Sequence, residues 1–291
     1  MRISRLKIAK SDINNCFENL NSNVLTRAKI DRILLENRKF WRVSASTTVQ
    51  KFIEFLLKET KLKIVKFKFP TRAMDRYIWG DASTFEIVAS LKPDSYFTHY
   101  TAMYLHELTE QIPKTIYINY EQIPKPKGAG SLIQQRIDSA FKRPWRTTNN
   151  ISSYKGYKIC LLNGMFTGKL GVIETSGQNG EKIYITNIER TLIDIAVRPV
   201  YSGGIFEVLK AYRLAHSKVS INKLSAMLEK LNYIYPYHQV IGFYLEKAEK
   251  YKTSQINLME KFDKKYDFYL THQMKKMSYS KKWRLYFPEG L

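Results

Sequence analysis

The sequence predicts an α+β protein in two parts, a small helical region ending in a basic hairpin and then a larger mixed α/β domain. Three observations lead there. Apolar residues recur at helical spacing before residue 60, and the pattern then switches to β-branched and aromatic runs that flank a turn. After about residue 150, strand-like runs give way to a long helical stretch reaching about residue 262. At 291 residues the chain is long enough to bury a core in each part.

In the first part, "NVLTRAKIDRILLENRKF" sets Ile30, Ile33 and Leu34 on one helical stripe, with Lys29, Arg32 and Glu36 opposite. "SASTTVQKFIEFLLKET" repeats the design with Val49, Phe52, Ile53 and Leu56, and Ser46 or Thr47 is placed to cap it. "KLKIVKFKFPTRAMDRYIWG" reads as a hairpin turning at "PTRAMD". Its alternation slips phase between Ile64 and Val65, which predicts a bulge or strong twist. Helix, helix, basic hairpin is the order of a winged helix-turn-helix, assigned here to residues 1–90.

The second part, 91–291, carries a helix capped by Ser95 or Thr98, with Ala102, Leu105 and Leu108 on its apolar side. The strand "KTIYINYEQ" follows, and then "PKPKGAG" at 124–130, the best linker candidate. "SLIQQRIDSAF" reads as a helix. "YKGYKICLL", "LGVIE" and "KIYIT" read as strands, followed by helices from Asn187. "YDFYL" and "WRLYF" near the end are expected to be strands returning to the sheet. No internal repeat is visible.

Composition narrows the function classes. Lys and Arg total 48 against 26 Asp and Glu, a formal net charge of +22, which favours polyanionic partners. Cys16 and Cys160 form neither a disulfide framework nor a zinc-ligand cluster, so a reduced cytoplasm is expected. The N-terminus lacks the apolar core of a signal peptide, and no apolar run has the length of a membrane span. A soluble cytoplasmic protein without a membrane partner is the expectation.

The stretch "NIERTLIDIAVRP" (187–199) places Glu189, Arg190 and Asp194 within two helical turns. Acid/base chemistry is one reading. The other is structural: Thr186 and Glu189 have capping-box spacing, and Arg190 and Asp194 form a helix-surface pair of opposite sign. His99 and His106 are seven apart and read as structural rather than as zinc ligands. "GAGS" at 128–131 resembles the start of a nucleotidyltransferase site, but no closely spaced acid pair follows. Glu59–Lys61 matches a nuclease pattern by chance. No cofactor signature is present.

The hairpin carries the sharpest binding signal. Lys58, Lys61, Lys63, Lys66, Lys68, Arg72 and Arg76 crowd a stretch with only Glu59 and Asp75 as acids. Such a wing can lie along phosphates while the preceding helix enters a major groove, with Thr47, Thr48, Gln50 and Lys51 toward the bases. A solvated charged hairpin has the same composition. Lys142, Arg143 and Arg146 around Trp145 form a second basic group, either an extension of the footprint or an Arg–aromatic packing cluster.

Several pieces in order, "YFTHYTAMYLHELT" (96–109), "LIQQRIDSAFKRP" (132–144), "TGKLGV" (167–172), "NIERTLIDIAVRP" (187–199), "VYSGGIFEVLKAYRLA" (200–215), "YPYHQVIGFYLEKA" (235–248) and "WRLYFPEGL" (283–291), cover nearly the whole chain. The set resembles the AbiEi family of type IV antitoxins of abortive-infection toxin–antitoxin systems. The resemblance implies a winged helix that binds its own promoter, as double-stranded DNA, and represses the operon. It also implies a C-terminal domain that counters a cognate nucleotidyltransferase toxin, and it carries over no catalytic residue. One departure is that only "WRVSAS" separates Phe40 from Thr47, which leaves the groove-reading role of the 47–59 helix open. The expectation is an antitoxin and not an enzyme. The alternative is a nucleic-acid-processing enzyme of a phage-defence system, a nuclease or nucleotidyltransferase. A third class is an RNA-binding module, if the tyrosines line an exposed sheet.

Overall fold

The computed structural model describes residues 4–124, 132–177 and 179–291. All of the linker candidate at 124–130 except Pro124, and the whole of "GAGS" at 128–131, therefore lie outside the described residues. The chain is mixed α+β and divides into two compact units. The first runs through Pro93 and includes the short stretches Ser152–Tyr154 and Ser176–Ile183; the second holds the remainder from Asp94 to Leu291.

The first unit begins with α1 (Arg5–Ile8) and α2 (Lys10–Glu18). The sequence reading missed α2, whose Ile13 and Phe17 are one turn apart and fully buried. The short strand β1 (Val24–Leu25) precedes α3 (Arg27–Asn37), capped by the Thr26 hydroxyl, and α4 (Val49–Glu59), capped by the Thr48 hydroxyl. Thr48 therefore takes the capping position predicted for Ser46 or Thr47. The hairpin strands are β2 (Leu62–Lys68) and β3 (Ala73–Trp79), followed by α5 (Thr84–Ala89). Strand order is β1–β3–β2, all antiparallel. Phe17, Ile30, Leu34, Trp41, Phe52 and Leu56 form the core behind it.

The expected bulge in β2 is absent. Pairing runs one to one from Leu62 opposite Trp79 to Lys68 opposite Ala73, and the turn spans only Phe69–Arg72. The phase slip has a different cause. Leu62 is buried on one face of the strand at its base, and Phe67 is buried on the other face near the tip, beside Phe69. The covered face changes along the strand while the ladder stays regular.

In the second unit, β4 (Tyr96–Phe97) leads into α6 (His99–Leu105), then β5 (Thr115–Glu121) and α7 (Gln134–Lys142). Two hairpins follow, β6 (Ile151–Tyr154) with β7 (Tyr157–Gly164), and β8 (Val172–Ser176) with β9 (Lys182–Thr186); most of β6, the end of β8 and the start of β9 are the stretches grouped with the first unit. The sheet order is β6–β7–β5–β4–β9–β8, parallel between β5 and β7 and between β4 and β9, antiparallel between β4 and β5.

The helices are α8 (Ile188–Val197), α9 (Ile205–Ala215), α10 (Ile221–Leu231), α11 (Tyr237–Lys247) and α12 (Thr253–Glu260). Every residue of α8 from Glu189 to Val197 is buried, so this helix is the centre of the unit. Gly242 in α11 is required by close approach: a Cβ there would lie 2.2 Å from the ring of the fully buried Trp283. The final strands, β10 (Phe268–Tyr269), β11 (Met277–Ser280) and β12 (Leu285–Pro288), form a separate sheet in the order β10–β12–β11. They do not return to the larger sheet, as the sequence suggested. Their Phe268 and Leu285 sides pack into the helical core instead.

Candidate nucleic-acid interface

Helix α4 turns Phe52, Ile53 and Leu56 inward and leaves Gln50, Lys51, Glu54 and Lys58 exposed. Its start is fixed from behind by Arg38, whose guanidinium donates to the carbonyls of Ser44 and Thr47, the latter at 2.9 Å. Thr47 is thus held by its backbone, and the Thr48 hydroxyl is occupied as cap, accepting from the Lys51 amide at 3.3 Å. Gln50 is engaged on both sides: its Oε1 accepts from Arg27 Nη1 at 2.8 Å and its Nε2 donates to Glu54 Oε1 at 2.9 Å. For Gln50 to read a base edge, that relay must open, at a cost near that of ordinary exposed hydrogen bonds, about 1 kcal/mol each. Lys51 and Lys58 stand in no ion pair among the described residues.

The hairpin lysines separate into two groups. At its base, Lys61 pairs with Glu18 at 2.7 Å and Lys63 with Asp81 at 2.9 Å. These pairs are open to water, so phosphate can replace the carboxylates at little cost. At the tip, Lys66, Lys68 and Arg72 are exposed and enter no ion pair among the described residues. Arg72 also helps depress the pKa of Lys92, where burial is the larger cause. Lys92 therefore shares the positive field of the tip; nothing in its local sequence marked it.

Arg76 departs from the sequence expectation. It is 7% exposed. Its nitrogens donate to the backbone carbonyls of Asp75, Ser90 and Leu91 and to the Ser90 hydroxyl, at 2.7–3.1 Å. A guanidinium with its donors spent on the backbone braces β3 to the end of α5 and has no reach to a phosphate.

In the second unit, the 187–199 segment is built otherwise than its spacing suggested. The cap of α8 is Asn187, whose Oδ1 accepts from the Arg190 amide at 2.9 Å, while Thr186 ends β9. Glu189 Oε1 accepts from the Ser220 amide at 3.1 Å, so no capping box forms with Thr186. Arg190 and Asp194 are not on the surface: their side chains are 6% and 8% exposed, with Nε to Oδ1 at 2.7 Å. Arg190 also donates to the Thr167 hydroxyl and the Leu170 carbonyl, and Asp194 Oδ2 accepts from the Thr98 hydroxyl at 3.0 Å. Burial works against the Arg190 charge, but Asp194 more than offsets it and holds the guanidinium firmly protonated. Gly171, at φ +75°, lets the chain pass close to this pair; a Cβ would meet Arg190 Cβ at 2.8 Å.

His106 Nε2 lies 2.6 Å from the Thr186 carbonyl, and His99 is buried between the rings of Tyr117 and Tyr201. Burial pushes the His99 pKa down to about 4. Among the described residues, no three His, Cys, Asp or Glu side chains gather as a metal site. Lys142, Arg143 and Arg146 are all exposed. Trp145 lies against His272, with ring centroids 3.9 Å apart and planes tilted by 36°, and its indole N–H donates to the Thr271 hydroxyl.

No protein-family model and no curated protein matches the chain. Among solved structures, it is similar in fold to the RV2827C protein from Mycobacterium tuberculosis. That match has a TM-score of 0.59 at 11% identity and covers 96% of this chain and 91% of the other. At that identity the likeness concerns the fold alone. No helix among the described residues is long and apolar enough to cross a membrane.

Proposed function

We propose that the first unit is a winged-helix module for double-stranded DNA, and that the chain is the antitoxin of a type IV, AbiE-like pair. In this reading it represses its own promoter and counteracts a cognate nucleotidyltransferase toxin. One observation carries the DNA reading. Helix α4 runs through Thr60 and Lys61 into an antiparallel ribbon whose tip presents Lys66, Lys68 and Arg72 unpaired, with β1 as the third strand. Lys51 projects from the exposed side of the same helix, so groove-facing and phosphate-facing cations sit on consecutive elements.

The antitoxin reading rests on the ordered sequence pieces that resemble the AbiEi family. The binder is preferred to an enzyme because Arg190 and Asp194, the acid–base candidates of the 187–199 segment, are buried and engaged by Thr98, Thr167 and Leu170. The test is binding to the DNA upstream of its own gene across a salt series. Steep salt dependence with preference over scrambled duplex is expected. Equal affinity for every duplex, or none, defeats the repressor reading. Survival of cells carrying the toxin gene, with and without this chain, tests the antitoxin reading separately.

A further inference from the structure

Six aromatic rings of the second unit contact one another in series; Phe141 is buried in the middle of the series and the other five are partly exposed. Trp145 meets His272 at 3.9 Å and His272 meets Phe141 at 4.3 Å, each pair tilted by 36°, and Phe141 stacks on Tyr269 at 5.4 Å. Tyr269 meets Tyr286 at 5.1 Å and Tyr286 meets Tyr279 at 4.9 Å. The last three are not a chance cluster. Tyr269 pairs with Tyr286 and Tyr286 with Tyr279 in the ladder, so they form one cross-strand row. The adjacent row, Phe268 and Leu285, points the other way into the core. Tyr279 is 41% exposed and Met277, on the same face, 44%. Aromatic rings clustered on the outward face of a small sheet form an apolar patch that a partner gains by covering.

Charge indicates what that is. Lys142, Arg143 and Arg146 flank the Trp145 end, and Lys275, Lys276 and Lys281 bracket β11 at the other. All six are exposed, and none is in an ion pair among the described residues. The carboxylates near the row are already committed. Asp138 accepts from the Tyr269 hydroxyl and Gln134, and Asp267 is bound by Arg284 at 2.9 Å and the Tyr279 hydroxyl at 2.7 Å. Ring faces bordered by free cations are how a protein tracks an unpaired strand, the bases stacking and the phosphates lying on the charges.

We propose that this row is a binding surface for single-stranded RNA, separate from the duplex-binding hairpin of the first unit. Duplex DNA keeps its ring faces inside the stack and offers only base edges, which a row of tyrosines does not read. RNA presents unpaired bases as standing structure in its loops, bulges and ends.

The test uses the full chain and a fluorescently labelled, unstructured mixed-sequence RNA of about 15 nucleotides, a length in the range for such sites. Tyr279→Ala weakens binding roughly 5- to 150-fold, the span of one lost stacking partner. Tyr279→Phe, which keeps the ring and loses the bond to Asp267, stays within about twofold of the parent, whereas a merely structural hydroxyl would make both variants fail. Replacing Lys142, Arg143 and Arg146 by Ala lowers the salt slope by about 2, as expected for three phosphates on a single strand. Duplex from the upstream region binds Tyr279→Ala as it binds the parent. No RNA binding, a Tyr279→Phe loss equal to that of Tyr279→Ala, equal or tighter binding of the same sequence as DNA, or a parallel loss of duplex binding each overturns the proposal. The Lys66, Lys68 and Arg72 variants, which test the hairpin, leave RNA binding intact, so either surface can fail without the other.

Discussion

Two ion pairs of this molecule use the same chemistry in opposite surroundings. Lys63 meets Asp81 at 2.9 Å with side chains 62% and 96% exposed, and Arg190 meets Asp194 at 2.7 Å with side chains 6% and 8% exposed. Their distances hardly differ. Solvent decides what each is for. In water, the Lys63 pair is a loose arrangement that a phosphate can displace, so the cation remains available for binding. In the core, the Arg190–Asp194 pair has lost its hydration and depends on Thr167, Leu170 and Thr98 to replace it, so it holds the surrounding elements together.

The comparison breaks most visibly at Asp194. Asp194→Ala leaves the Arg190 charge buried without its counter-ion and is expected to cost about 3–5 kcal/mol in a urea titration. Asp194→Asn keeps the shape and part of the hydrogen bonding and should cost less. If Asp194→Ala is tolerated while toxin protection or any catalytic activity disappears, the buried pair is functional after all and the contrast with the hairpin collapses.

Acid extends the same logic to a neighbouring group. His99 lies in the field of Asp194, Arg190 and Arg198, against Tyr117 and Tyr201, and burial brings its pKa from 6.5 to about 4. A folded pKa below the unfolded one means that the unfolded chain takes up the proton first. Its contribution is therefore complete above about pH 6.5 and is lost as pH falls toward about 4. The stability slope in that window reaches about 1.4 kcal/mol per pH unit for this group. His238, also held near 4 by burial, adds to it. His99→Asn suits the left-handed backbone at φ 51° and removes one titration. It should flatten the curve between pH 6.5 and 4; an unchanged slope would show that His99 titrates normally.

Arg76 sharpens the boundary within the hairpin itself. Arg76→Ala leaves the Ser90 and Leu91 carbonyls without their donor and should lower stability by about 1–3 kcal/mol. Its effect on the salt slope of DNA binding should be nil, in contrast to the tip residues. An Arg76 variant that folds as well as the parent but loses one phosphate contact would put this residue back on the interface.

How much of this was legible depends on what each signal measures. Periodicity reports one covered side, and it served well for α3 and α4, whose apolar stripes are the buried sides. It fails where an element is covered all round. In α8 every residue from Glu189 to Val197 is buried, so the spacing of Arg190 and Asp194 predicts a surface pair although no surface exists there. The phase slip in β2 was real, but spacing cannot tell a bulge from a change in the covered face. Thr186 and Glu189 fit a capping box, yet Asn187 lies between strand and helix and caps better from there. Charge clusters report composition and not direction, which is why Arg76 was grouped with Lys66 and Lys68. The tyrosine row was invisible because its rings come from four separate stretches, joined only by strand register and by α7.

The smallest effect on stability makes the most specific statement about binding. Replacing Lys66, Lys68 and Arg72 together by Ala removes three exposed side chains that hold nothing in place among the described residues. Urea unfolding should not distinguish the variant from the parent. Its affinity for upstream duplex, measured across a salt series, should show a slope reduced by about 3, since each neutralised phosphate contributes about 0.9. The same replacement at Lys61 and Lys63, whose carboxylate partners phosphate displaces at little cost, should change the slope by about 2, one phosphate for each lysine. If the base pair of lysines proves to carry the slope and the tip does not, the strand lies across the root of the hairpin, and the ribbon's free end faces water.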